Sequence, residues 1–330
     1  MDTLTHGLLG AACALLPLPR RLKEGEPEPA ATRAAIVVGV LAAELPDLDY
    51  LLPAGDEVLH ALRAHRGLSH ALVAVPVVAL VAALVTKLVF RRVKFAALYA
   101  RALFAVPLAH LLPDLWTGWG TRLLLPFSSH RFALDWTMVF DPVFTLPLLA
   151  AAVWALFRRR DFQRAFRVGL LVSMTYLVAR VGLSRHLTRE VERAYPAAES
   201  VSVFPALFGV TTFRYVATVH GEYRAGSVAL GEPARERARA LRFPRGPLPE
   251  RLSVVPTVKE ALEWARFPVV QFEPRSGSGY RVNIADLRYH LAGQPTLAFA
   301  MSVDGNGDVT GARLERGGSA RELFERYRRE

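Results

Sequence analysis

Six apolar segments fill the first half of the chain, at residues 4–18, 34–45, 68–90, 95–112, 142–157 and 168–183, with short charged loops between them. Such segments must be covered by protein or by lipid. Only the third and fourth approach the ~20 residues that cross a bilayer unaided, so the shorter ones are expected to be tilted, re-entrant or packed inside a bundle. The whole chain is 52% hydrophobic over 330 residues, with a mean hydropathy of +0.22, which excludes a purely soluble or disordered protein. Near residue 185 the pattern turns polar and interrupted. The fold expected is an α-helical polytopic membrane domain of about six apolar helices over residues 1–185, some short or re-entrant, followed by a soluble mixed α/β domain over 186–330.

Lysine and arginine number 41 against 30 acidic residues, a net charge of +11. Their placement follows a topology rule, because cytoplasmic loops carry the excess of basic residues. One set of loops holds Arg20, Arg21, Lys23, Arg33, Lys87, Arg91, Arg92, Lys94, Arg158, Arg159, Arg160, Arg164 and Arg167. The alternate set holds Arg63, Arg66, Arg122 and Arg131. The first set is therefore expected in the cytoplasm, with the N-terminus and the C-terminal half outside, which in a bacterial inner membrane means periplasmic. The apolar run at the start has no basic stretch before it, so no cleaved signal is expected. Cys13 is the single cysteine, which excludes a disulfide framework and a cysteine zinc finger. Any metal must use His, Asp and Glu.

The ionisable residues near the apolar segments collect on one side. Asp2 and His6 stand four apart at the outer end of the first segment, and Glu44, Asp47 and Asp49 close the second. His65 and His70 open the third, with Ser69 as a helix cap. His110 and Asp114 end the fourth, another pair four apart, followed by Trp116 and Trp119, which suit an aromatic belt or a pocket. Asp135 and Asp141 precede the fifth. Charge near hydrocarbon is costly, so residues of this kind face a partner or a polar cavity. A mixed nitrogen and oxygen set without thiolate suits zinc first, and manganese or iron, and several such groups suit a two-metal site that activates a water.

The opening Met-Asp-Thr-Leu-Thr-His-Gly-Leu-Leu-Gly, with Leu-Pro-Asp-Leu-Asp, His-Arg-Gly-Leu-Ser-His, His-Leu-Leu-Pro-Asp-Leu-Trp-Thr and Asp135-Trp136, resembles the YdjM-type family of inner-membrane proteins. That family is described as membrane-bound, metal-dependent hydrolases, and the resemblance covers roughly residues 1 to 185. It implies a metal set of Asp2, His6, Asp47, Asp49, His65, His70, His110 and Asp114, with Asp135 a further ligand or catalytic carboxylate. More than one ion, or a division into ligands and residues that support them, would account for so many. The His110 and Asp114 pattern also looks like the helix-borne zinc ligands of the phospholipase C and P1 nuclease group, which implies phosphoester hydrolysis. On that footing Glu44 is the candidate general base and Arg66 a phosphate contact, against an interfacial anchor.

In the polar half, residues 201–204, 211–219 and 223–230 are expected as strands, the last two joined by a tight turn at His220, Gly221 and Glu222. Helical spacing marks 233–241 and 257–267, and 269–272, 280–284 and 296–303 again look extended. A linker at 243–249 divides the domain. Residues 304–308 imitate a calcium loop, but Val309 stands where that loop needs glycine, so a hairpin turn is expected. The arginines at 235, 237, 239, 242 and 245, and those of 321–329, read as a solvated face or a lipid headgroup contact, so no nucleic acid is expected as partner.

These readings lead to a membrane-bound metal-dependent hydrolase acting on a phosphoester in a lipid or envelope precursor, with the bilayer and a lipid-linked substrate as partners. The alternatives are a metal or proton transporter, and a non-catalytic envelope protein in which metal staples the bundle.

Overall fold

The computed structural model describes residues 1–16, 29–51, 57–158, 162–206, 209–241, 250–252, 254–274, 279–291, 294–319 and 322–323. Arg20, Arg21, Lys23, Arg159, Arg160, Arg242, Arg245, the linker 243–249 and the arginines of 321–329 lie outside these residues. The helices, in chain order, are α1 (Thr3–Leu15), α2 (Pro29–Glu44), α3 (Glu57–Leu59), α4 (Val75–Val89), α5 (Phe95–Ala105), α6 (Leu112–Leu115), α7 (Pro142–Arg158), α8 (Phe162–Ala194) and α9 (Pro256–Trp264). The chain divides into two compact units, one of Met1–Leu52 with His65–Val181, the other of Pro53–Ala64 with Gly182–Glu330.

In the first unit, the six expected spans reduce to three. Among the described residues, Leu72–Val89, Phe95–Leu115 and Phe162–Ala194, of 18, 21 and 33 residues, are long and apolar enough to cross a membrane. α1 has only 13 residues, about 20 Å of helix against a hydrocarbon core near 30 Å. Every residue from Leu9 to Leu15 is buried, so its apolar character serves the inside of the bundle. α4 does the opposite and exposes Val77, Leu80, Leu84 and Leu88, while burying Ala79, Ala82 and Ala83 against its neighbours. α7, with 17 residues, also falls short of the three spans.

Small residues set the depth of helix packing. α1 and α2 cross at Gly10 and Gly39, where a Cβ on either would stand within 2.3 Å of the other's carbonyl oxygen. Only glycine permits this approach, which brings the start of α1 beside the end of α2. Asp2 caps α1 by accepting from Thr5 N at 3.0 Å and from Thr5 Oγ1 at 2.6 Å. Asp141 caps the start of α7 through Phe144 N and takes the Tyr176 hydroxyl of α8 at 3.0 Å.

The second unit is rich in sheet. β1 (Ser200–Pro205), β2 (Thr212–Val219), β3 (Glu222–Ala229) and β4 (Arg235–Leu241) form one antiparallel sheet in sequence order. The expected tight turn joins β2 and β3 with two residues, His220 at φ 49° and Gly221 at φ 77°, and Glu222 already belongs to β3. β4 corrects the helix expected over 233–241. Ala, Arg and Glu favour a helix locally, but pairing with β3 from Ser227–Arg235 to Glu222–Leu241 prevails. β5 (Pro268–Pro274), β6 (Tyr280–Asp286), β7 (His290–Leu291), β8 (Gln294–Pro295), β9 (Leu297–Val303) and β10 (Val309–Arg316) follow, with a second four-stranded sheet in the order β10-β9-β6-β5.

Phe204, Val216 and Tyr223 of the first sheet meet Phe267 and Leu287 in one apolar cluster. The later part of α8 packs Leu187 and Val191 on Phe213 and Tyr215. Buried Asp286 accepts from the backbone of Arg266, Phe267 and Arg288 and from the Arg288 guanidinium, which stacks over Trp264. The calcium-like loop is a hairpin turn, with Asp304 Oδ1 accepting from Asn306 N and Asp308 N, both at 2.9 Å.

Candidate metal centre

His110 lies on a π-turn, Val106–Leu111, between α5 and α6, and Asp114 follows on α6. Its Nδ1 is 2.5 Å from the Ala43 carbonyl, one of the last carbonyls of α2 and so without an intrahelical N–H. A carbonyl only accepts, so Nδ1 carries the hydrogen and a neutral His110 presents a lone pair at Nε2. His6 obeys the same logic. Its Nδ1 meets the Ala109 carbonyl at 2.9 Å, and residue 113, four further on, is a proline with no N–H to offer that carbonyl. Its ring stacks on His110 at 4.2 Å, and its Nε2 faces Asp114 Oδ1 at 3.3 Å.

His70 is fixed from a different direction. Ser69 donates its hydroxyl to Asp49 Oδ2 at 2.7 Å, which leaves the Ser69 oxygen to accept from His70 Nδ1 at 2.9 Å. The Nε2 of a neutral His70 is then a lone pair as well. It stands 2.9 Å from His110 Nε2, 3.2 Å from Asp47 Oδ1 and 3.4 Å from Asp114 Oδ2. Asp114 Oδ2 is buried and makes no hydrogen bond. Asp47, His70, His110 and Asp114 thus turn ligand atoms that all lie within 4.8 Å of one another toward one point.

Lone pairs facing one another without hydrogens repel unless a cation lies between them. The separations that involve His70 or His110, 2.9 to 3.8 Å, bracket the roughly 3.3 Å between ligand atoms of a tetrahedral ion with bonds of 2.0–2.1 Å. The electrostatics agree. Burial alone would lower the pKa of His70, yet the nearby carboxylates of Asp114, Asp47 and Asp49 raise it to about 10. Burial opposes ionisation of Asp47, but the His70 bond and nearby His110 hold its carboxyl down at about 2. The field at this point holds positive charge, and a divalent cation in place of a proton meets the same donors. The two nitrogens and two oxygens suit a divalent metal ion.

Around this cage the other expected residues take separate places. Asp49 and His65 join His70 in a second buried group of ligand type. Asp49 Oδ1 takes His65 Nδ1 at 3.1 Å, and its carboxyl is held below the usual range because the bonds from His65, His70 and Ser69 outweigh burial. Burial lowers the pKa of His65 despite that bond. Arg66 is buried at a positive φ of 55°, a conformation that costs on the order of 1–3 kcal/mol in a non-glycine residue. Its guanidinium holds Asp114 Oδ1 at 2.8 Å, the Asp114 carbonyl at 3.1 Å and Thr117 Oγ1 at 2.8 Å, and the Met1 amino group contacts the same Oδ1.

A cavity of about 590 Å³ opens beside the cage, lined by Asp2, Glu44, Asp47, Tyr50, His65, Arg66 and Trp119 among others. Burial, and then the charges of Asp47 and Asp2, push the Glu44 carboxyl up to about 7. Asp2 serves as the α1 cap and stands outside both ligand groups, as does buried Asp135. Trp116 is core, edge-on to Phe144, whereas Trp119 lines the cavity.

In the sequence Thr117 stands only as the end of the His-Leu-Leu-Pro-Asp-Leu-Trp-Thr motif, and nothing there marks the Ala43 and Ala109 carbonyls. The Ser-His pair at 69 and 70 was the visible signal for Ser69, there read as a helix cap.

Two comparisons bear on this arrangement. The chain is similar to "Uncharacterized protein YfhP" of Bacillus subtilis (strain 168), 26% identical over 300 residues that cover 89% of this chain and 88% of that one. No solved structure matches it. The profile described as YdjM inner membrane protein matches residues 1–187, which takes in the whole cage and the cavity wall. With more than half of its length matched, the chain belongs to the YdjM inner membrane protein family.

Proposed function

We propose that this membrane protein is a metal-dependent hydrolase of a phosphoester in a lipid or envelope precursor. One observation carries the reading. Asp47 belongs both to the ligand cage and to the cavity wall, so a bound ion would meet whatever fills the cavity. A divalent ion there, zinc first and manganese second, would polarise the ester and make a water nucleophilic near neutral pH.

The chain's own residues supply the remainder. Glu44, with its carboxyl near 7, can take or give a proton at the cavity wall. Arg66 fixes Asp114 and lines the same space, where its charge favours an anionic group. Leu48 and Tyr50 line the cavity while half exposed, which suits an amphiphile whose polar head reaches the cage. The basic residues Arg91, Arg92 and Lys94, between Leu72–Val89 and Phe95–Leu115, support a cage on the periplasmic side of the inner membrane.

Zinc-loaded, detergent-solubilised protein assayed on bis(p-nitrophenyl) phosphate and on phosphatidic acid tests the reading. Turnover that a chelator abolishes and zinc restores is expected. Zinc-loaded protein that consumes neither ester contradicts it.

A further inference from the structure

Asp49 divides its two oxygens between two histidines. Oδ2 takes Ser69 and stands 3.4 Å from His70 Nδ1, behind the ring that faces the cage. This is the support that carboxylates give to ligating histidines. Oδ1 takes His65 Nδ1 at 3.1 Å. A carboxylate only accepts here, so His65 is fixed with its hydrogen on Nδ1, and its neutral ring has a lone pair on Nε2.

Nε2 makes no hydrogen bond among the described residues, and His65 lines the cavity. Its ring is held by Tyr50 at 3.9 Å and lies edge-on to His70 at 5.6 Å. A histidine oriented by a carboxylate at one nitrogen and open to a pocket at the other has the geometry of a general base.

We propose that His65, oriented by Asp49, is the base that takes the proton of the attacking water, and that neither residue is a metal ligand. The inference rests on the hydrolase reading above. Water loses a proton to His65 Nε2 as its oxygen bonds to phosphorus. The ester P–O bond breaks with its electron pair going to the leaving oxygen, and Glu44 supplies the proton that this oxygen takes. The proton on His65 then returns to Glu44 through solvent, which restores both groups. Asp49 is a positioning residue that acts through His65 and His70.

Diethyl pyrocarbonate, which acylates an imidazole nitrogen with a free lone pair, separates the base from the ligands when modified sites are mapped by mass spectrometry. In zinc-loaded protein, His65 is acylated while His70 and His110 are spared, and Asp49→Asn slows the reaction at His65 several-fold. His65→Ala retains the wild-type zinc content. On bis(p-nitrophenyl) phosphate, its turnover falls roughly 10²- to 10⁴-fold and recovers in added imidazole.

Shielding of His65 by zinc, loss of a zinc equivalent in His65→Ala, or wild-type turnover in that variant overturns the assignment and leaves the hydrolase reading standing. Zinc-loaded wild type that has a reactive His65 but no turnover overturns the hydrolase reading, and the base with it.

Discussion

The carbonyls of Ala43 and Ala109 decide what two of this chain's histidines can do. By accepting from Nδ1 of His110 and His6, they turn each Nε2 inward as a lone pair. The His and Asp positions are legible in the sequence, because pairs four apart at segment ends share a face. The carbonyls are not legible, since every backbone has them and only the packing of α1, α2 and the π-turn selects these two. Asp2 shows the converse. It reads as a ligand beside His6, but an aspartate just before a helix also satisfies the first N–H groups, and that is the role it takes. At this scale the account predicts that Glu44→Gln retains full metal content and loses turnover by roughly 10²- to 10⁴-fold. The loss should be larger on esters with poor leaving groups than on p-nitrophenyl esters. Elemental analysis beside a leaving-group series checks this, and equal losses on all esters would remove Glu44 from the leaving-group step.

Elements carry two further consequences. The α1–α2 crossing has no room for a side chain at Gly10, where a Cβ would meet the Gly39 carbonyl oxygen at 2.3 Å. Gly10→Leu should therefore part the helices, separate the cage residues they position and lower the melting temperature, with a penalty of at least about 1–3 kcal/mol. Unchanged melting and unchanged metal content would show that the crossing does not set the cage. In the second unit, burial works against ionised Asp286, yet the charge and hydrogen bonds of Arg288 and the backbone N–H groups hold its carboxyl below the usual carboxylate range. A carboxyl whose folded value is depressed stabilises the fold above its ordinary pKa, and that stability fades as pH falls through the folded value. The unit should lose stability progressively below about pH 4, and Asp286→Asn should flatten that dependence in acid melts followed by circular dichroism. The strand over Arg235–Leu241 was hidden from the sequence for a related reason. Its residues are good helix formers, and only the edge of β3 makes them a strand.

For the whole molecule, the change in polarity near residue 185 lies close to the division at Val181 and Gly182, although Pro53–Ala64 falls in the second unit, and this change is legible in composition. The number of spans is not, because apolar residues look alike whether they face lipid, as on α4, or other helices, as on α1. Leu72–Val89 and Phe95–Leu115 run to and from the basic residues Arg91, Arg92 and Lys94, which puts His70 and Asp114 at the ends away from that loop. With three spans and the cage outside, the chain after the third span lies in the cytoplasm and not in the periplasm as six spans imply, so a cytoplasmic reporter fused after Ala194 should be active and alkaline phosphatase there should not. The reverse pattern would require an even number of crossings, with α7 as a further span, and would put the second unit in the periplasm. Beneath every functional statement lies the cage itself. Its most direct test is the metal content of purified wild-type protein after zinc supplementation, beside His110→Ala and Asp47→Ala checked for intact folding. One or more equivalents in the wild type, lost in both variants, is the predicted result. Folded wild-type protein that binds no metal would contradict the account.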